Sequence, residues 1–347
     1  MLTKTRIDEA WDAVEGRAEK KLYPYQAAAE LGLSEAEFLA TKTGDCVTRL
    51  SNDVSRILEA FKQLGTVKVI TRNPHAVHEK IGSFSKVQVD AMHALVLDKN
   101  IDLRISPSQW AFAFAHVTFP KDKRQVTFQI FDRAGDAVFK VFVNESVEVA
   151  EEVIKELTAE DQSQELAVVK APEAARSDAH AVDEEQLELD WLAITDPHQF
   201  FGVLRKHKID KSIAYRVVAH DLARPVAAKS LRQILEAAAT EAVPIMVFVG
   251  NHGCTQIHTG PVSKIVEHGP WINVLDETFH LHEKEGEIAD AYVEMKPAEE
   301  GRKVYSLECF DKNGLAIISV YGERKLGVDE LTAWRDLLTR LVAGDES

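Results

Sequence analysis

Phe131-Asp132-Arg133-Ala134-Gly135 and Phe310-Asp311-Lys312-Asn313-Gly314 carry one turn pattern, Phe-Asp-x-x-Gly, and Asp132 and Asp311 stand 179 residues apart. Each turn runs into an apolar, strand-like segment, Ala137 to Val143 in the first case and Ala316 to Tyr321 in the second. The offset holds elsewhere: Trp11 and Trp191 are 180 apart, His78 and His258 180, Lys86 and Lys264 178, Arg104 and His282 178. Pro24-Tyr25-Gln26 and Pro197-His198-Gln199 both open helical patterns, at an offset that small insertions shift to 173. A near-constant separation over most of the chain reads as a tandem duplication.

Working outward from the two turns, the first copy is expected over residues 1–165 and the second over 187–347, with 166–186 joining them. The run Val149 to Leu157 has helical apolar spacing and ends the first copy. Ala171 to Glu185 holds too little apolar content to pack and is expected to be a mobile linker. Within each copy helices come first and strands follow. Ala27 to Leu39 and Val54 to Leu64 show helical spacing, with Ser34, Asp53 and Gly65 as cap or stop residues. Short apolar runs then alternate with Gly, Pro, Asn and Asp, from Val67 to Val143 in the first copy and from Ile245 to Tyr321 in the second. Segregated helices and consecutive short strands imply an α+β fold, each half a large, mostly antiparallel sheet with flanking helices.

A chain of 347 residues is long enough for two domains with separate cores. The formal charge of −15 argues against a nucleic-acid partner, because phosphate binding needs clustered Lys and Arg. Cys46, Cys254 and Cys309 are odd in number, far apart and without C-x-x-C spacing, so neither a disulfide framework nor a structural zinc site follows. The first sixteen residues place charges every few positions where a secretory signal would be apolar, and no run approaches the length of a membrane span. A cytoplasmic protein, not embedded in a membrane, is expected. Neither G-x-x-x-x-G-K-[ST] nor G-x-S-x-G occurs, and no carboxylate pair can be assigned to acid–base roles from spacing.

A duplication also supplies an internal comparison. Where the first copy has Tyr25 the second has His198, in the helix start Thr195-Asp196-Pro197-His198. There the helix dipole disfavours protonation and leaves a neutral imidazole for a metal; an exposed helix-start histidine is the plainer reading. Phe200 and Phe201 beside it are core residues or the wall of an apolar pocket. Asp102-Leu103-Arg104 becomes His280-Leu281-His282, and strand alternation puts the two histidines on one face, as zinc ligands or as solvated side chains. Arg72 to His78 is matched by the Gly- and Asn-rich turn from Gly250 to Pro261.

Taken together, the duplication, Thr195-Asp196-Pro197-His198-Gln199-Phe200-Phe201, Phe248-Val249-Gly250-Asn251 and Gln256-Ile257-His258-Thr259-Gly260-Pro261-Val262 resemble the HemS/HmuS/ChuS family of bacterial haem-utilisation proteins. The likeness extends to Ile101-Asp102-Leu103-Arg104 and Tyr321-Gly322-Glu323-Arg324. The resemblance implies a cytoplasmic haem-binding protein of two similar halves, with haem in a cleft between a sheet surface and a helix. By family position His198 is the proximal iron ligand and Arg104, from the other half, the distal residue. Lys211, Lys296, Tyr321 and Arg324 match partners of the haem propionates, and Phe248 packs against the ring face. The chain departs from the family at Lys211 and His252, where Arg is common, and at Ser106, where an aromatic is common.

Two activities follow from that resemblance. In one, haem received from an inner-membrane transporter is opened to release iron, with His198 axial, Arg104 stabilising the distal oxygen ligand, and an external electron donor. No flavin or nicotinamide fingerprint is present to supply electrons internally. In the other, the protein is a carrier that passes intact haem to a separate haem oxygenase. A third reading, independent of the resemblance, is a protein-interaction module without a cofactor.

Overall fold

The structure is a computed structural model and describes residues 3–170, 182–324 and 327–345. The middle of the expected linker, 171–181, lies outside the described residues.

The Phe-Asp-x-x-Gly repeat has a local cause. Asp132 Oδ1 accepts hydrogen bonds from the backbone N–H groups of Ala134 (2.9 Å) and Asp136 (3.0 Å), and Asp311 Oδ1 from those of Asn313 and Leu315 (both 2.8 Å). Gly135 and Gly314 take φ of 81° and 79°, the left-handed region that favours glycine. A Cβ at either would also collide with a serine hydroxyl, that of Ser34 or Ser212. Phe131 and Phe310 are buried, and the hairpin register slips at the same place in each copy, between Ile130 and Phe131 and between Cys309 and Phe310.

The chain forms two compact units: residues 3–72, 79–170 and 251–256 in the first, and 73–78, 182–250, 257–324 and 327–345 in the second. Among the described residues the strands make two sheets of nine. This is the expected α+β duplication.

The first unit begins with α1 (Lys4–Glu15), α2 (Pro24–Leu31) and α3 (Glu35–Ala40). The single helix expected over Ala27 to Leu39 is broken in two. Gly32, at φ 72°, ends α2, and a Ser34/Glu37 capping box starts α3. An antiparallel run then orders β1 (Val47–Leu50), β7 (Trp110–Thr118), β8 (Gln125–Asp132), β9 (Ala137–Val143) and β2 (Val67–Arg72). A shorter run holds β6 (Asp102–Ile105), β5 (Ala94–Leu97) and β4 (Val87–Val89). α4 (Val54–Phe61) and α5 (Val147–Leu157) bury Ile57, Phe61, Ala150, Val153 and Leu157 in the same core as Phe128 and Val141. β3 (Ala76–Gly82) and β12 (Cys254–Gly260) have residues in both units.

The second unit repeats the order with β10 (Ala223–Val226), β16 (Asp290–Pro297), β17 (Lys303–Phe310), β18 (Ala316–Gly322) and β11 (Ile245–Gly250). Its shorter run is β15 (Phe279–Lys284), β14 (Trp271–Leu275) and β13 (Ile265–His268). Strand alternation gives the main run two unlike faces. Val247, Leu307, Ile318 and Val320 pack with α9 (Ser230–Thr240) and α10 (Thr332–Asp345). Those helices offer stripes at helical spacing, Leu231, Ile234, Leu235 and Ala238 in one, Trp334, Leu337, Leu338 and Leu341 in the other. Each such large side chain contributes about 2 kcal/mol by leaving water. Tyr292 and Phe310 face the other way, toward α6 (Glu184–Leu192), α7 (Phe200–His207) and α8 (Lys211–Val217).

Candidate functional site

His198 sits in the tight turn Pro197–Gln199 that leads directly into α7. Asp196 builds that turn. Its Oδ1 accepts the His198 backbone N–H at 2.8 Å and meets His198 Nδ1 at 2.6 Å, while Gln199 Oε1 accepts the backbone N–H of Thr195 at 2.9 Å. The His198 backbone N–H is the main influence holding the Asp196 carboxyl below its ordinary range, so Asp196 is ionised and can only accept. Nδ1 therefore carries the hydrogen in this contact, and Nε2 keeps the lone pair in the neutral ring. The imidazole is 81% exposed. Of the two neighbouring phenylalanines, Phe200 is core, its ring 4.3 Å from that of Trp191, whereas Phe201 is 58% exposed beside His198.

The sheet face beneath α8 carries a buried polar network. Lys211 Nζ, at the first residue of α8, donates to Glu308 Oε2 at 2.6 Å. Ser319 also donates to Glu308 Oε2, and the Tyr321 hydroxyl donates to Glu308 Oε1 at 2.9 Å. Lys296 pairs with Glu294, and the single Ser306 hydroxyl proton can serve either Glu308 (2.9 Å) or Glu294 (3.0 Å). Burial works against the Glu308 carboxylate, but Lys211 and Lys296 outweigh it and hold it at about 2. Burial lowers Lys296, whereas Glu308 and Glu294 outweigh burial at Lys211 and raise it. Burial, followed by the same two carboxylates, pushes the Tyr321 hydroxyl well up. The two lysines and two glutamates are formally balanced. Phe248, opposite Ser319 in the β11–β18 register, is partly exposed and edge-on to Tyr321, with ring centroids 5.1 Å apart.

Of the sequence-nominated residues, Lys211, Lys296, Tyr321 and Phe248 thus come together on one sheet face. Arg324, just past the end of β18, helps to lower Asp196, the residue that holds His198. Arg104 belongs to the first unit, on β6, where it pairs with Asp102. His280 and His282 lie on one strand face with ring centroids 6.3 Å apart, and His282 Nδ1 meets Asn273 Oδ1 at 2.6 Å. No group of three metal-ligating side chains occurs among the described residues. Sequence reasoning missed Glu294, Glu308, Ser306 and Ser319. Their signal was carboxylates and hydroxyls two apart inside segments already read as strands.

The first copy uses the corresponding face differently. Gln129 opposes Lys140 in β8–β9 where Glu308 opposes Ser319 in β17–β18. Glu35 receives both Lys140 and Arg72, the latter at 3.0 Å, and the Arg72 guanidinium lies 4.0 Å from the ring centroid of Tyr25, the partner of His198 in the repeat.

A family model described as the haemin-degrading HemS.ChuX domain matches residues 32–157 and, again, 208–341. The chain belongs to the HemS family. It is 38% identical over 323 residues to the hemin transport protein HemS of Yersinia enterocolitica, covering 92% of each chain. To the hemin transport protein HmuS of Yersinia pestis it is 36% identical over 327 residues, covering 93% of this chain and 94% of that one. Among solved structures, holo-PhuS, a heme-binding protein from Pseudomonas aeruginosa, matches with a TM-score of 0.92 at 36% identity over 97% of this chain and 98% of that one. ChuS, described as an E. coli heme oxygenase, matches with a TM-score of 0.86 at 33% identity, also over 97% and 98%. The two HemS-domain matches fall one on each copy of the repeat. No helix among the described residues is long and apolar enough to cross a membrane.

Proposed function

We propose that this chain binds haem, whose iron His198 Nε2 would hold, and works in cytoplasmic haem utilisation, opening the ring to release iron. The observation that carries the reading is the Asp196–His198 pair. A carboxylate on Nδ1 fixes tautomer and ring orientation and makes Nε2 the better donor, the arrangement metal-binding histidines use. The donor set of the same unit suits a porphyrin dicarboxylate. Phe201 and Phe248 offer apolar surface, while Lys211, Lys296, Tyr321 and Arg324 offer donors to carboxylates. Because Lys211 and Lys296 already hold Glu308 and Glu294, propionates must share them rather than find them bare. Arg104, nominated through its family position, would offer a guanidinium hydrogen-bond donor to the bound group.

Bound haem supplies the iron centre for oxygen chemistry, and the electrons come from an external donor. The chain's own share is to orient His198 through Asp196, to exclude water with Phe201 and Phe248, and to hold the dicarboxylate. A carrier that delivers intact haem to a separate oxygenase uses the same residues, and the names of the HemS and HmuS relatives favour that second reading. Both readings admit an inner-membrane transporter as the source of haem.

Titration of haemin into wild type and His198→Ala tests the binding. A Soret shift in wild type that is lost or displaced in the variant is expected; no shift in wild type rejects haem binding, and identical spectra reject His198 as ligand. The haem-loaded protein is then given a physiological reductant and oxygen with catalase present. Linear tetrapyrrole and free iron are expected, and recovery of intact haem establishes the carrier instead.

A further inference from the structure

The second copy buries three carboxylates at strand positions where the first copy has none. Glu283, Glu294 and Glu308 are each 1% exposed, and Ile105, His116 and Gln129 stand at the matching places. Glu283 lies with Phe279 and Leu281 on the buried face of β15, and among the described residues its Oε1 has no hydrogen-bond partner. Glu294 and Glu308 instead each meet a lysine.

The first copy also ties a helix start to this sheet face by an ion pair, but with the signs exchanged. Glu35 opens α3 and takes Lys140 of β9, whereas Lys211 opens α8 and gives to Glu308 of β17. The scaffold therefore accepts either polarity, and it accepts the amide of Gln129 at the position of Glu308. A carboxylate sealed there needs a reason outside the fold. In the second copy the accessible member of the pair is the ammonium: the Lys211 side chain is 19% exposed and that of Glu308 1%. Glu308 holds it from beneath while also receiving the Tyr321 hydroxyl at 2.9 Å, Ser319, and Ser306 at 2.9 Å. A ligand carboxylate that reaches Lys211 from the open side cannot take its charge whole.

We propose that Glu308 sets the affinity of this site for the acid groups of its ligand, competing with them for Lys211 from below. The inference rests on the reading that the site holds a porphyrin dicarboxylate. Carboxylates on two sides of one ammonium stand about 5 Å apart, where their repulsion at an effective dielectric constant of about 20 is worth well over tenfold in binding. Glu294 acts on Lys296 in the same sense, but the Lys296 side chain is only 6% exposed, so Lys211 is where ligand and protein contend. Two unshared ammonium groups would make a trap for a dicarboxylate. Paired as they are, they keep its acid groups exchangeable, and the ligand is retained mainly through its iron and its ring.

Haemin and haemin dimethyl ester, which lacks the free carboxylates, are titrated into wild type and Glu308→Gln by Soret absorbance at one pH. The ratio of the two affinities is the readout, because the difference in solubility between the porphyrins cancels when the proteins are compared. Glutamine keeps an acceptor for Lys211 and Tyr321 but not the charge. The haemin-to-ester ratio is expected to rise by at least about tenfold from wild type to Glu308→Gln. Should Glu308→Gln not fold, Glu308→Asp, which keeps the charge but withdraws it by one methylene, is expected to raise the ratio about threefold. An unchanged or lowered ratio, with a Soret shift in wild type, overturns the proposal and leaves haem binding standing. No Soret shift in wild type overturns the haem reading and this inference with it.

Discussion

A single carboxylate decides what His198 can do. Asp196 Oδ1 serves both the backbone N–H that starts the turn and the imidazole Nδ1, so the turn and the orientation of the ring share one atom. Asp196→Ala is expected to cost about 1 kcal/mol of stability through the lost cap, and to weaken haemin binding on the order of tenfold to a hundredfold through the lost orientation. Asp196→Asn, which can still accept the backbone bond, separates the two effects: stability close to wild type with altered haemin spectra. If Asp196→Ala binds haemin with wild-type affinity and spectrum, Asp196 has no role beyond the turn. Glu283 makes the opposite case, a residue the fold would do better without. Its folded value of about 7 lies above the ordinary 4.5, so the folded state holds its proton more tightly. That contribution is fully present below about pH 4.5 and is lost as pH rises through about 7. Glu283→Ile should therefore gain stability over wild type as pH rises from 5 to 8, by about 3 kcal/mol at most. Urea denaturation at the two pH values measures it, and a gap that does not widen with pH contradicts the assigned protonation.

At the scale of elements, much of the architecture was legible because the signals are local. Asp132 and Asp311 announce their turns by bonding backbone two and four residues on, and Gly135 and Gly314 by a φ that other residues avoid. The exception was the helix read across Ala27 to Leu39, where apolar spacing on both sides of Gly32 hid a left-handed stop. The polar network was harder. Alternation places Ser306 and Glu308 on one strand face, but only tertiary packing shows that α8 covers that face and that the glutamate is buried against Lys211 rather than solvated. The lysines are nominated as partners for an external carboxylate, whereas the spacing of Ser306 and Glu308 along a strand does not by itself say that the carboxylate turns inward to meet them. The pairing has an energetic consequence. Glu308→Leu leaves Lys211 buried without its partner and is expected to destabilise by about 3–5 kcal/mol, while Lys211→Met combined with Glu308→Leu recovers most of that loss. A double-mutant cycle by urea denaturation decides it; additive losses would falsify the pairing as the source of the cost.

Across the whole molecule, one topology has been kept twice while its polar faces diverged. The order β1-β7-β8-β9-β2 in one unit and β10-β16-β17-β18-β11 in the other shows conservation of scaffold within a single chain. Tyr25 beneath Arg72 in the first copy, against His198 held by Asp196 in the second, shows that the positions at the helix starts were free to change. Such a division predicts asymmetric linkage between ligand and stability. Haemin that binds only the folded protein through His198 should raise stability by about 2.7 kcal/mol at a free concentration one hundred times its Kd. His198→Ala should remove most of that increment, and Tyr25→Ala should leave it intact, because its ring carries a guanidinium rather than an open ligand nitrogen. Thermal or urea unfolding of the three proteins with and without haemin distinguishes the cases. Equal increments in wild type and His198→Ala would place the haem contact elsewhere, and loss of the increment in Tyr25→Ala would mean that the first copy has kept a share of the binding.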